Sequence, residues 1–297
     1  MKEIVVISGK GGTGKTSISA SFAILGGKDV IVADCDVDAA DMHLLMQPDF
    51  GHPQDFYSGE IAEINQDKCT GCGECADICR FNAIQLKEDT YVVDPMECEG
   101  CGYCARVCPT DAITNISQNV GEWYVSHIKS GSIMVHARLG IGADNTGKLV
   151  AKVKNKARQI AKESKSDYVI VDGSPGIGCP VVSSLAGAAF AVLVTEPSVS
   201  GLHDLKRVYQ LVKKFGIKAG CIVNKADINP KIAGDIDEFL IREKIIPLAT
   251  LPYDERFTRA MTLGKTIIEY EENELSPILS DSWEKIKQSV KNSKESK

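Results

Sequence analysis

Short apolar runs recur along the chain, each closed by small, polar or acidic residues. They are Glu3–Ser8 (EIVVIS), Asp29–Ala33 (DVIVA), Tyr168–Asp172 (YVIVD), Ala188–Thr195 and Ile217–Asn224. Runs of this length between turn residues read as buried strands. Between them apolar residues return at helical spacing, as at Ile18, Phe22 and Leu25. Strand alternating with helix predicts a doubly wound α/β fold, a mostly parallel sheet with helices on both faces. Lys148–Lys165 carries seven basic residues against one acid, with Leu149, Val153 and Ile160 at helical spacing. It reads as a solvated outer helix; a dock for an acidic segment of this same chain or for an acidic redox partner, and nonspecific DNA binding, are the alternatives. Near the end, Trp283, Ile286 and Val290 share a helical face. That predicts a packing helix fraying into Asn292–Lys297, the alternative being a weak membrane contact by this C-terminal tail.

Composition adds a domain count and one anomaly. The 297 residues suit about two domains of roughly 150 residues each. With 43% hydrophobic and 25% charged residues, the chain is neither disordered nor collagen-like. No run reaches the roughly 18 apolar residues of a membrane-spanning helix. The N-terminus lacks the apolar length and cleavage site of a signal peptide, so a cytoplasmic location is expected. The net charge of −6 is unevenly placed: Glu60–Ser117 holds eleven acids against four bases. The same segment holds eight of the eleven cysteines. An odd cysteine count without a secretion signal points to metal-bound thiolates rather than disulfides.

The eight are Cys69, Cys72, Cys75 and Cys79, then Cys98, Cys101, Cys104 and Cys108. Both runs read C-x2-C-x2-C-x3-C, offset by 29 residues, and Ala83-Ile84 recurs as Ala112-Ile113. In the bacterial two-cluster pattern, three cysteines of one run and the last of the other hold each [4Fe-4S] cube. The spacing thus predicts Cys69, Cys72, Cys75 and Cys108 around one cluster, and Cys98, Cys101, Cys104 and Cys79 around the second. Gly71, Gly73, Gly100 and Gly102 suit a backbone turning tightly around sulfide. The second run ends Cys108-Pro109 but the first ends Cys79-Arg80, a departure expected to loosen that turn or alter the potential of the cluster at Cys79. Zinc, which favours paired CxxC spacing, is the alternative. Cys35 and Cys221 read as packing residues.

At the front, Gly9-Lys10-Gly11-Gly12-Thr13-Gly14-Lys15-Thr16 follows a strand and precedes a helix, the required setting of a phosphate-binding loop. Its glycines let backbone N–H groups converge on phosphate. Lys15 would pair with the β- and γ-phosphates and the Thr16 hydroxyl would ligate Mg²⁺; the candidate nucleotide contacts run from Gly9 to Ser17. The segment KGGTGKT resembles the deviant Walker A box of the MinD/ParA family, which includes the nitrogenase iron protein and the Mrp-type carriers.

That resemblance implies an ATP sandwiched between two subunits, with Lys10 crossing to the partner's nucleotide; contact with its own phosphate is the alternative. Asp34-Cys35-Asp36-Val37-Asp38 resembles switch I, with Asp36 positioning or deprotonating the attacking water. Asp172 matches the Walker B acid that holds Mg²⁺ through water. Gly173-Ser174-Pro175-Gly176 resembles switch II, with serine where the first proline is usual. Asn224-Lys225-Ala226-Asp227, alone a guanine-reading motif, is assigned to adenine by the resemblance. Leu251-Pro252-Tyr253-Asp254 resembles the loop closing over the base, which makes Pro252 and Asp254 candidates beside Asn224. Cys179 stands where the nitrogenase iron protein has a cluster ligand; a bridging cluster and a small residue at a helix start are its two readings. The stretches Ala137-Arg138-Leu139 and Asn145-Thr146-Gly147-Lys148 also resemble a subgroup carrying an inserted ferredoxin domain.

The resemblance implies a discontinuous P-loop ATPase domain, 1–59 and 118–297, interrupted at 60–117 by a small α+β ferredoxin domain. The expected function is an ATP-hydrolysing homodimeric switch coupled to electron transfer to or from a redox partner protein. Its cofactors would be ATP, Mg²⁺ and two [4Fe-4S] clusters, and no specific nucleic acid is expected. An Mrp-kind cluster carrier is one alternative, although no CxxC follows Cys108; a MinD/ParA-like positioning ATPase is another.

Overall fold

The computed structural model describes residues 1–140, 142, 143 and 147–291. Asn145 and Thr146 of the subgroup stretch, and the fray over Asn292–Lys297, lie outside the described residues. In chain order the first elements are β1 (Lys2–Ser8), α1 (Lys15–Gly26), β2 (Val30–Asp34), α2 (Met42–Met46) and β3 (Gln54–Ile64). Then come α3 (Glu74–Ile78), β4 (Ile84–Lys87), β5 (Thr90–Val93), α4 (Tyr103–Val107), β6 (Ile113–His127) and β7 (Ile133–Leu139). The remainder alternates: α5 (Lys148–Glu163), β8 (Tyr168–Asp172), α6 (Cys179–Leu185), β9 (Phe190–Thr195), α7 (Val199–Lys214), β10 (Lys218–Val223), α8 (Pro230–Glu243), β11 (Ile246–Thr250), α9 (Arg256–Thr262) and α10 (Leu275–Lys291).

The chain divides into two compact units, one of Met1–Gln54, Trp123–Arg138 and Asn145–Lys297, the other of Asp55–Glu122 and Leu139–Asp144. The resemblance implied limits at Glu60 and Ser117. Both positions fall inside long strands, β3 and β6, because the repeat marks the ligand loops and not the strands that carry them.

In the first unit the sheet runs β11-β10-β9-β1-β8-β2-β7, followed by β6. The pairs from β11 through to β7 are all parallel, as the strand–helix alternation predicts. The five apolar runs are buried because helices cover both faces. Register places Asp34 opposite Asp172 and Val6 opposite Asp172, so β1, β2 and β8 deliver their last residues to one edge. Ligands of open parallel sheets bind at that carboxyl edge.

One aliphatic core, including Ile4, Val6, Phe22, Ile170, Phe190 and Val192, unites the sheet with α1 and α10. Trp283 of α10 stacks on Phe22 with ring centroids 5.6 Å apart. Trp283, Ile286 and Val290 are all buried in this core, so the three anchors expected of a membrane-touching tail are occupied by packing. Among the described residues no helix is long and apolar enough to cross a membrane.

Helix α5 corrects a second expectation. Its apolar face is buried, but so is Lys154, whose ammonium sits 2.8 Å from the Glu3 carboxylate. Lys154 also donates to the carbonyls of Ser183, Ser184 and Ala186, and Arg158 pairs with the same Glu3. Two of the basic residues read as a solvated face therefore neutralise a buried acid of β1.

The second unit displays its repeat in the backbone. Helices α3 and α4 are offset by 29 residues, as are the left-handed glycines before them, Gly73 and Gly102, and the left-handed Asn82 and Asp111 after them. The halves exchange hydrogen bonds: Asp94 N donates to Ala83 O at 2.7 Å, and Asn65 N donates to Ala112 O at 2.8 Å. Ile84 and Ile113 occupy matching core positions with Ala62, Cys75 and Cys104. Cys79 and Cys108 share an extended conformation, φ −73° and −69°. The backbone at Cys79 thus takes the same conformation as at Cys108 although no proline follows it. Proline favours an extended predecessor, and Cys79 adopts that conformation without it.

Candidate functional sites

The phosphate-binding loop joins β1 to α1. Gly14, at φ +90°, caps the helix, and a side chain there would meet the Asn224 amide at 2.5 Å. Lys15 is buried beneath the loop, its Nζ 2.9 Å from Asp172 Oδ1 and 3.1 Å from Asp36 Oδ2. Burial alone would lower its pKa, but Asp172 and Asp36 hold it above the ordinary lysine value. Thr16 donates to Asp172 Oδ2 at 2.8 Å, and Ser19, one turn further along, donates to Asp172 Oδ1 at 2.7 Å. Asp34 Oδ1 accepts from the Asp36 N–H, while its buried Oδ2 has no hydrogen-bond partner among the described residues. Burial and the neighbouring Asp172 push the Asp34 carboxyl well above its usual range, and burial raises Asp36 as well. Two carboxylates, Asp36 and Asp172, thus pair with one ammonium, and the charge of Asp34 adds to theirs.

A cavity of about 420 Å³ opens above this cluster. Gly11, Gly12, Thr13, Gly14, Lys15, Thr16, Ser17 and Asp36 line it, as do Asn224 and Asp254. Sequence reasoning missed the walls supplied by Leu45, Tyr253, Phe257, Thr258 and Met261. The 257, 258 and 261 spacing on α9 was the available signal. Pro252 is not among the lining residues, its place being taken by Tyr253. Gly9 also lies off the cavity: a side chain there would come within 2.4 Å of Asp204 Cβ on α7, so this glycine permits helix packing.

Asn224 and Lys225 brace the loop, donating to Thr13 O at 2.9 Å and Gly12 O at 3.0 Å. Asp227 accepts from the Tyr253 N–H at 2.6 Å, and Asp254 is clasped by the Arg256 guanidinium, which holds its carboxyl below the usual range. Lys10 points away from the cavity. Its ammonium lies 2.7 Å from Glu196 and donates to Ser198 and Ser200. Glu196 also takes Lys225 at 2.9 Å; although burial opposes it, the two lysines lower its pKa. Ser174, standing where proline is usual, donates its hydroxyl to Cys35 O at 2.8 Å. A proline could not make this bond between the two switch segments.

In the second unit the cysteines face two separate cavities. One is lined by Cys69, Cys72, Cys75 and Cys108, the other by Cys98, Cys101, Cys104 and Cys79. Backbone N–H groups approach the sulfurs: Ala112 N donates to Cys108 Sγ at 3.3 Å and Ala62 N to Cys98 Sγ at 3.5 Å. Gly100, at φ +63°, lets the loop pass the Glu60 carbonyl, where any Cβ would sit 2.0 Å away. Among the described residues no three His, Cys, Asp or Glu side chains converge as ligands of a single metal ion. Of the remaining thiols, Cys35 and Cys221 are buried and Cys179 is exposed.

Known proteins share this architecture. An uncharacterized protein of Methanocaldococcus jannaschii is 35% identical over 229 residues, 76% of this chain and 79% of its own. The septum site-determining protein MinD of Synechocystis is 26% identical over 84% of this chain and 73% of its own. A probable ferredoxin of Methanosarcina thermophila is 52% identical over 29 residues, 10% of this chain and half of its own. Among solved structures, the Pyrococcus furiosus cell division ATPase MinD superposes with a TM-score of 0.57 at 19% identity, covering 97% of this chain and 98% of its own. MinD of Pyrococcus horikoshii, complexed with Mg-ADP, gives 0.56 at 20% identity, with 96% and 95% covered. The family model for the CobQ/CobB/MinD/ParA nucleotide binding domain matches residues 4–267. With that span over the sheet and the phosphate-binding loop, the chain belongs to the CobQ/CobB/MinD/ParA nucleotide-binding family.

Proposed function

We propose that this protein is an ATP-hydrolysing dimeric switch coupled to iron–sulfur electron transfer to a partner protein. The observation that carries this reading is the division of eight cysteines, four and four, between two cavities in a chain that also builds a phosphate-loop cavity. The segment 60–117 is accordingly read as a ferredoxin domain set within an ATPase domain. Thiols in fours around a cavity, approached by backbone N–H groups, fit an iron–sulfur cube, whereas one zinc ion draws four ligands to a point at about 2.3 Å. Cys69, Cys72, Cys75 and Cys108 would hold one cube and Cys98, Cys101, Cys104 and Cys79 the other. Such groups supply one-electron chemistry when bound.

In the first unit Lys15 and the loop N–H groups bind the phosphates, and Thr16 and Asp172 serve Mg²⁺, the latter through water. Asp36 orients or deprotonates the attacking water, and Asn224 and Asp254 lie on the base side. Lys10 leaves Glu196 for the partner's nucleotide when two subunits close on ATP. EPR of the anaerobically reduced protein tests the whole: two cluster signals altered by ATP are expected. Absent clusters, or electron transfer indifferent to ATP, would overturn it. The likeness to MinD structures favours a second reading, a positioning ATPase, which nucleotide-dependent sedimentation with liposomes or DNA would support.

A further inference from the structure

We propose that Lys129, in the turn between β6 and β7, is a positioning residue for the nucleotide cavity: it latches α9, the wall against the base, and so sets how tightly the base is held. This deepens the nucleotide reading above and rests on it. Leu45 of α2, Tyr253, and Phe257, Thr258 and Met261 of α9 line the cavity. Apolar and aromatic side chains of this kind are what a planar base packs against. Yet α9 has only seven residues, of which Ala260 alone is buried. So little buried surface fixes the helix weakly from behind, and its position depends on how its two ends are tied.

The N-terminal end is tied locally: the Arg256 N–H and guanidinium donate to Asp254, and the Tyr253 N–H donates to Asp227. The C-terminal end is tied across the fold. The Leu263 and Gly264 N–H groups donate to Ala260 O and Met261 O, at 3.0 and 2.9 Å, so the turn at Gly264 moves with the helix. The Gly264 carbonyl then accepts from two side chains, Lys129 Nζ at 2.8 Å and Gln47 Nε2 at 3.2 Å. At Gly264, φ is +64° and a Cβ would come within 2.8 Å of Gln47 Nε2, so glycine permits this close approach. The same Lys129 ammonium lies 2.8 Å from Glu269 Oε2, which also accepts from the Thr266 N–H and hydroxyl at 2.9 Å. One side chain thus grips both ends of the segment 264–269. Lys129 is itself anchored, its N–H donating at 3.1 Å to Met46 O at the end of α2, the helix that carries Leu45. Only 17% of its side chain is exposed, so its charged hydrogen bonds are shielded from water and outweigh a surface pair. Lys129, Gln47 and Glu269 do not line the cavity, so they act on it through α9 and α2.

The test uses full-length protein with Mg²⁺. Lys129→Met should raise the calorimetric Kd for ATP roughly tenfold, the order expected when a charged hydrogen bond is lost. KM should rise with it while kcat stays within about twofold, because Lys15 and Asp36 are untouched. Gln47→Ala, a milder cut of the same tie, should raise the Kd about threefold. Lys129→Arg keeps a cation that can meet both Gly264 O and Glu269, and should restore most of the loss. Inorganic tripolyphosphate, a probe without a base, should inhibit wild type and Lys129→Met alike, within about twofold. By linkage, ATP should slow hydrogen exchange at residues 128–132 in the wild type but not in Lys129→Met. Tripolyphosphate affinity falling in step with ATP, no rescue by arginine, a lower kcat at unchanged KM, or full ATP affinity in Lys129→Met would overturn the latch alone. A wild type that binds no ATP would sink the nucleotide reading and the latch together.

Discussion

The two units bury polar side chains for opposite reasons. In the first, Lys15, Asp36, Asp172, Thr16 and Ser19 satisfy one another under a loop fixed by β1, with a broad aliphatic core behind them. In the second, a buried cluster of five residues includes two cysteines, and the thiols face cavities. One unit is held by its own side chains; the other counts its candidate ligands among its core residues. Where core residues are also ligands, binding free energy becomes folding free energy, so the two units should answer differently to the same insult.

The largest contrast should come from stripping iron with a chelator from reconstituted protein. Hydrogen exchange is expected to accelerate throughout Ile84–Val93 and around Ile113, while β1 and β8 keep their protection. Uniform acceleration in both units would break the comparison. Next, Lys15→Met leaves Asp172 and Asp36 buried without their cation, a change of about 3–5 kcal/mol by analogy with other broken buried pairs. ATP affinity by calorimetry should fall at least a hundredfold, with the thiol and iron content of the second unit unchanged.

Acid should act on the first unit through His136. Burial and nearby His43 lower its pKa to about 4, and Ser126 Oγ lies 2.9 Å from its Nε2. The unfolded chain therefore binds more protons between about pH 6.5 and 4, so stability rises with pH across that window and is lost on acidification. At about 1.4 kcal/mol per unit the loss approaches 3 kcal/mol. His136→Phe should flatten the urea-midpoint profile between those pH values; an unchanged slope would refute the assignment. The smallest effect is expected from Ser174→Ala, which removes the bond to Cys35 O at a cost of about 1 kcal/mol, read as a shift in the urea midpoint without a change in slope.

Legibility followed the same division. Strands β1, β2, β8, β9 and β10 were readable because burial on both faces leaves continuous apolar runs, and the phosphate loop because its chemistry is local in sequence. Ser19 and Glu196 were not, since each acts through a partner that the sheet topology alone brings near. Lys154 looked solvated because charge counting along one helix cannot see Glu3 at the start of the chain. Gly9 and Pro252 sat inside recognisable motifs yet are not among the residues lining the cavity: a side chain at Gly9 would meet α7, and Tyr253 lines the cavity beside Pro252. In the second unit the thiol spacing, local and repeated, announced both four-cysteine sets, but the difference between their cavities depends on which neighbours fold over each.

The strand order has a consequence for how the chain emerges from the ribosome. β1 is synthesised first, yet its neighbours β8 and β9 begin at Tyr168 and Phe190. By then the second unit's main segment, ending at Glu122, has long been made, and the fourth thiol of each cavity is already in place. The eight-cysteine segment is therefore complete while the first unit's central strand still waits for its partners. A stall after residue 122 would leave the main segment of the second unit tethered to an unpaired, aggregation-prone β1.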